Sequence, residues 1–141
     1  MANTRDKHEI ITLAASAART STGTASAVRL PISFRACAFT LDVTAAATDA
    51  ADTLDVKIQT LLDGTNWTDV CAFTQVLGNG GAKRYVGKIA AAVANAEFEV
   101  GTALAAGNIR HLFGDEYRAV WTIVDADVDA SFTFAVTACP M

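Results

Sequence analysis

Three aspartates at alternate positions, Asp125, Asp127 and Asp129, form a short acidic run near the end of the sequence. Carboxylates at this spacing open the calcium-binding loop of an EF-hand, which also needs glycine at its sixth position and a bidentate glutamate at its twelfth. Those positions hold Ala130 and Val136 here. We therefore interpret the run as an acidic, solvated turn, and the sequence predicts no metal site and no cofactor.

The other residues that commonly bind zinc or act in catalysis lack the spacing that either role needs. They are His8, His111, Cys37, Cys71 and Cys139. An odd number of cysteines without a CxxC pair favours free thiols that pack as small apolar side chains. His111 lies in a turn-rich connector with no nucleophile or orienting carboxylate at a fixed spacing, so we favour a hydrogen-bonding surface role over general-base catalysis. The sequence therefore predicts a protein that is not an enzyme.

A glycine-rich loop at residues 77–81 raises the question of phosphate binding. A P-loop requires the pattern GxxxxGK[ST] at the start of a helix. In this sequence Lys83 begins an alternating segment, KRYVGKIA, that is typical of a strand. We interpret the loop as a flexible hairpin connection.

The element that organises the chain is a predicted hairpin over residues 53–76. Leu54, Val56 and Ile58 alternate with polar residues, which is the period of a strand with one buried face. Asp63 and Gly64 then supply a strong turn signal, because glycine accepts positive φ at no steric cost. A return strand follows the turn.

Further alternating segments predict an all-β fold. They cover residues 28–32, 33–44, 83–90, 96–100, 116–124 and 131–138. About eight strands at these spacings are typical of an antiparallel β-sandwich or a jelly-roll-like barrel. Large aromatic side chains at alternating positions are predicted to form its core, although a surface platform for sugars would use the same residue types. They are Phe39, Trp67, Phe73, Trp121, Phe132 and Phe134.

The first 25 residues are predicted to be an extended N-terminal arm with one short strand, and residues 26–141 the β-sandwich domain. Alanine favours a helix while the neighbouring serine and threonine favour turns, so we expect the arm to be ordered only by a neighbour. An ordinary frayed terminus is the alternative. An embracing arm would contact partner proteins or other subunits through a few residues. These are Arg5, Lys7, Ile10, Ile11 and Leu13.

Composition and charge limit the possible partners. The 141 residues are 52% hydrophobic and only 18% charged, so we expect part of the surface to be covered by other subunits. A net charge of −4 argues against nucleic-acid binding through phosphates. No apolar run reaches the length of about 18 residues that marks a membrane span. The first residues lack the apolar region of a secretory signal, so we expect synthesis in the cytoplasm.

Three segments together resemble the small virion structural proteins of tailed bacteriophages that decorate or cement the capsid. The first is an x-D-G-T-x-W hairpin within residues 54–75. The second is an I-R-H-L-F-G-D connector that leads into a Y-R-x-x-W strand within residues 105–123. The third is a closing S-F-T-F strand within residues 130–138. The resemblance covers roughly the second two-thirds of the chain, and it brings no catalytic residues with it.

The resemblance implies a non-enzymatic protein on the capsid surface of a virion, made in the host cytoplasm. Its partners would be the major capsid protein and copies of itself, and closed rotational symmetry leads us to expect a homo-oligomer, specifically a trimer. Neither nucleic acid nor a membrane is expected as a partner. Two alternatives stay open: a tail or neck component of the virion, and a carbohydrate-binding β-sandwich module.

Overall fold

The computed structural model describes residues 9–31 and 34–141, and these ranges contain strands and loops without a helix. Two antiparallel sheets pack against each other, which confirms the predicted all-β sandwich. The described chain therefore has no helix long and apolar enough to cross a bilayer. Seven of its strands have six residues or more and four have only two. In chain order they are β1 (Ile11–Arg19), β2 (Gly23–Thr24), β3 (Val28–Arg29), β4 (Ala36–Ala45), β5 (Thr53–Leu61), β6 (Trp67–Ala72), β7 (Val76–Leu77), β8 (Lys83–Ala90), β9 (Asn108–Ile109), β10 (Glu116–Val124) and β11 (Phe132–Pro140).

The first sheet has four strands in the spatial order β1-β11-β4-β8. Alternation along β4 places Cys37, Phe39, Leu41 and Val43 on the inner face, as predicted. The inner positions of β11 are buried at the same interval, beginning at Phe132. Each of these two central strands thus contributes a continuous apolar stripe to the core and leaves its alternate residues outward.

The second sheet has the order β2-β10-β5-β6-β9, with β3 added on β10 and β7 added on β5. Its longest ladder joins β5 to β10, from Thr53 opposite Val124 to Thr60 opposite Tyr117. The predicted turn between β5 and β6 is confirmed, because Gly64 has a φ of 80°. The Asp63 carboxylate fastens this turn by accepting hydrogen bonds from two backbone N–H groups at 2.9 and 2.7 Å.

The core lies between the two inner faces and is almost entirely apolar. Tyr117 from the second sheet lies 5.8 Å from Phe39 of the first, measured between ring centres. The sheets approach closely at Gly87, where a Cβ atom would stand 2.6 Å from the Cys71 sulfur. A larger residue at that position would therefore force β8 away from β6.

Residues 11–19 of the predicted arm form β1, which pairs with β11 along its length. Leu13 and Ala14 are 4% and 5% exposed, respectively. The Arg19 guanidinium lies 4.3 Å from the centre of the Phe134 ring and donates a hydrogen bond to the Phe134 carbonyl at 2.6 Å. These residues form a strand of the sandwich because the edge of β11 supplies the backbone partners and the core receives Leu13. Residues 1–8 lie outside the described ranges.

The strand predicted at residues 96–100 is wrong, because this segment is irregular. The edge of β6 pairs with β9. Phe98, the centre of the predicted alternation, is covered by the Arg110 guanidinium at 4.0 Å from its ring centre. Alternation reports which side chains are apolar, but a strand also needs a free edge for its backbone hydrogen bonds.

Candidate functional site

The outward face of the four-stranded sheet carries short side chains on its two central strands. On β4 and β11 these outward residues alternate with buried ones. They are Ala36, Ala38, Thr40, Thr133, Ala135, Thr137 and Cys139. On the neighbouring β8, Arg84 pairs with Asp42 at 3.1 Å, and Val86 is 66% exposed. We call this surface the alanine–threonine face. Its short side chains let another protein surface approach the sheet closely.

A polar groove lies on the outward face of the other sheet, with a volume of about 190 Å³. Its centre is Asp69 of β6, which is 7% exposed. The Asp69 carboxylate accepts hydrogen bonds from Lys57 Nζ at 3.1 Å, Gln59 Nε2 at 2.8 Å and the Leu104 N–H at 3.0 Å. Gln59 Oε1 in turn accepts a hydrogen bond from Arg118 Nε at 3.0 Å. The network joins three adjacent strands and the loop that precedes β9.

The charge of Asp69 is held in place by this network. Burial raises the pKa of Asp69, but the hydrogen bonds from Leu104, Gln59 and Lys57, together with the positive charge of Lys57, outweigh burial and lower the pKa below its ordinary value. The carboxylate is therefore ionised at neutral pH, and both of its oxygens have donors. Such a group anchors a loop and is poorly placed to accept a proton from a substrate.

The two tryptophans are partly exposed, and each lies against an arginine. The Arg118 guanidinium lies 4.1 Å from the Trp67 ring centre, and that of Arg19 lies 4.7 Å from the ring of Trp121. Trp121 also packs edge-on against Phe134 at 5.6 Å and borders the core, whereas Trp67 is outside the core. The core prediction is therefore wrong for Trp67 and holds only in part for Trp121. It is confirmed for the phenylalanines, which are buried.

His111 makes hydrogen bonds that tie its connector to neighbouring loops. Its Nδ1 accepts a hydrogen bond from the Ala90 N–H at 2.9 Å. Its backbone N–H and carbonyl both bond to the side-chain amide of Asn95, at 3.0 and 2.9 Å. These contacts give His111 a structural role at the end of β8, and its Nδ1 is already used as a hydrogen-bond acceptor.

The three cysteines are free thiols, in agreement with the interpretation of their odd number. Cys37 and Cys71 are buried, while Cys139 is partly exposed on the alanine–threonine face. Burial raises the pKa of both Cys37 and Cys71 to about 12. Both buried thiols are therefore protonated at neutral pH, and a protonated thiol is a weak nucleophile and a weak metal ligand.

The predicted contact residues of the arm are placed very differently from one another. Ile10 is 71% exposed, so it is available to a partner. Ile11 is partly buried against the core, and Leu13 is a core residue. The Leu13 side chain packs in the chain's own interior, and the partner contacts of the arm stay a prediction. Arg5 and Lys7 lie outside the described residues, as does His8.

Sequence reasoning missed the groove around Asp69. Lys57 and Gln59 are ordinary polar positions that alternate with the buried residues of the predicted hairpin, Asp69 lies in its return strand, and Arg118 lies on a partly apolar strand face. The usable signal was three polar residues at outward positions of strands that pair with one another. It becomes visible only when the register is known, since Gln59 stands opposite both Arg118 and Asp69.

Comparison with known proteins adds no relative. No protein-family model, no curated protein and no solved structure matches the chain. The function must therefore be argued from the surfaces of this molecule and from the resemblance of its segments.

Proposed function

We propose that this chain is a non-enzymatic virion structural protein that decorates or cements the capsid of a tailed bacteriophage. It would act by self-association, as a trimer, and by binding the major capsid protein on the outside of the shell. Such a protein works through shape and multiplicity, because several weak contacts made by joined copies bind about 10²–10⁴-fold more tightly than one.

The observation that carries the proposal is the alanine–threonine face. Strands of nine residues, such as β11, are about 30 Å long, and four paired strands are about 19 Å wide. The face therefore presents about 550 Å², and covering it removes about 1,100 Å² from water on the two partners, which reaches the lower limit for a specific interface. The composition, 52% hydrophobic with 18% charged residues, agrees with a surface made for contact.

A substitution in the middle of the face tests the proposal. Thr137 lies on central strand β11 and points outward, opposite Thr40. Thr137→Lys places a charge in the proposed contact and should lower both the mass measured by light scattering and the binding to purified capsids. Thr122→Lys is the matched control, because Thr122 is exposed on the other sheet. A wild-type mass equal to the 14.7 kDa monomer together with no capsid binding would refute the proposal.

A carbohydrate-binding module is the second candidate, and one observation favours it. The partly exposed Trp67 ring borders the polar groove, and an aromatic face beside hydrogen-bonding groups is suited to a sugar. However, the Arg118 guanidinium already stacks on this ring at 4.1 Å and occupies a face that a sugar would use. Binding on a glycan array that disappears in Trp67→Ala would favour this candidate. Imaging of labelled protein on intact particles would distinguish the capsid from the tail or neck.

A further inference from the structure

Four aspartates that are distant in the sequence meet at one end of the second sheet. Asp52 directly precedes β5, while Asp125, Asp127 and Asp129 follow the end of β10. The two loops are neighbours because Thr53 pairs with Val124 in the antiparallel ladder. One carboxylate oxygen from each aspartate lies within 4.8 Å of those of the other three.

Asp52 differs from its three exposed neighbours because it is completely buried. Its Oδ1 accepts a hydrogen bond from the Ala126 N–H at 2.9 Å. Its Oδ2 is buried and has no hydrogen-bond partner among the described residues. Among the residues that the structure describes, no lysine or arginine forms an ion pair with any of the four aspartates. A buried carboxylate oxygen without a partner is costly, so its presence calls for a ligand.

The exposed aspartates also crowd one another. Their carboxylate oxygens and that of Asp52 all lie within 4.8 Å of one another. They remain close although Asp125 Oδ1 accepts hydrogen bonds from the backbone N–H groups of residues 127–129. A positive ion among these oxygens would relieve the repulsion and satisfy Asp52 at the same time.

We propose that Asp52, Asp125, Asp127 and Asp129 bind a calcium ion. An all-oxygen set of carboxylates is suited to a hard divalent cation. Calcium takes oxygen ligands at 2.3–2.6 Å, so two ligands on opposite sides of the ion are separated by about 4.6–5.2 Å. That span accommodates the observed cluster. Magnesium demands near-ideal octahedral geometry and gives up its waters reluctantly, so an all-protein set of carboxylates suits it less well.

The site differs from an EF-hand in the origin of its ligands. In an EF-hand the last carboxylate lies in the same loop as the others. Here Asp52 lies in a different loop, the one that precedes β5. Gly78 makes this arrangement possible, because a Cβ at that position would collide with the Asp49 carbonyl. The Gly78 N–H donates to the Asp52 carbonyl at 2.9 Å. Calcium would thus fasten the β10–β11 loop to the start of β5, independently of any capsid contact.

Calorimetric titration of the chelator-treated protein with calcium chloride tests the proposal. We expect one ion per chain, a dissociation constant between about 10⁻⁶ and 10⁻³ M, and a raised unfolding temperature in calcium. Magnesium chloride should bind at least about tenfold more weakly, since its coordination is tighter. No saturable uptake at 10 mM calcium, a concentration about tenfold above the weakest expected constant, would overturn the proposal. Equal affinities for the two ions would overturn the assignment to calcium.

Variants locate the ion. Asp129→Asn removes an exposed ligand and leaves the core untouched, so it should weaken calcium binding at least about tenfold. Asp52→Asn should abolish the calcium-dependent rise in unfolding temperature. Asp63→Asn is the matched control, because Asp63 also caps backbone N–H groups in an exposed turn but is outside the cluster. Equal calcium binding by the Asp129 and Asp63 variants would refute the site even if the Asp52 variant failed to fold.

Discussion

Leu13 and Ile10 belong to one short apolar segment of the sequence, yet the structure gives them opposite environments. Leu13 is 4% exposed and belongs to the core, while Ile10 is 71% exposed one residue before β1. Truncation of a buried leucine to alanine costs about 2–5 kcal/mol, depending on how far the site collapses. Because β1 is an edge strand with register shifts on both sides of Ala14, we expect partial collapse and a loss of about 2–3 kcal/mol for Leu13→Ala.

Ile10→Ala is the matched control, and it should change the free energy of unfolding by no more than about 0.5 kcal/mol, as exposed substitutions usually do. Both variants are compared by urea titration at one protein concentration, since association also stabilises a fold. The denaturation slope m should stay constant, which shows that only stability has changed. A loss below about 1 kcal/mol for Leu13→Ala, or equal losses for the two variants, would refute the packing of β1 onto the sandwich.

Three further predictions concern side chains of the two sheets. Trp121→Ala should cost about 2–4 kcal/mol because Trp121 packs on the core, whereas Trp67→Ala should cost about 1 kcal/mol, as measured by the same titration. Alkylation of the native protein without reductant should label Cys139 first, and the two buried thiols should react only after unfolding; a disulfide in freshly purified protein would contradict this. The folded pKa of Asp69 lies below its unfolded value, so its stabilisation is present above about pH 4 and is lost as the pH falls through the folded value. Asp69→Asn should therefore flatten the acid side of the stability curve below about pH 4, and an unchanged curve would contradict the network.

The main strands and their inner faces were predictable from the sequence alone. In β5 and β10 the alternation of apolar and polar residues specifies which side chains are buried, because successive side chains of a strand point to opposite faces. The turn at Gly64 was predictable for a similar local reason, since glycine accepts its positive φ. The fold class followed from several such segments, because alternation is a local pattern that can be recognised within a few residues.

Which strands pair and which distant residues meet were decided only by the tertiary structure. The segment containing Leu13 became a strand because β11 offers it an edge, whereas residues 96–100 are irregular despite their alternation. The acidic run by itself predicts no metal site, because its own loop lacks further ligands. Folding brings Asp52 to it from 73 residues away. Local periodicity reports the face of a side chain, whereas strand pairing and ligand convergence depend on residues that only folding brings together.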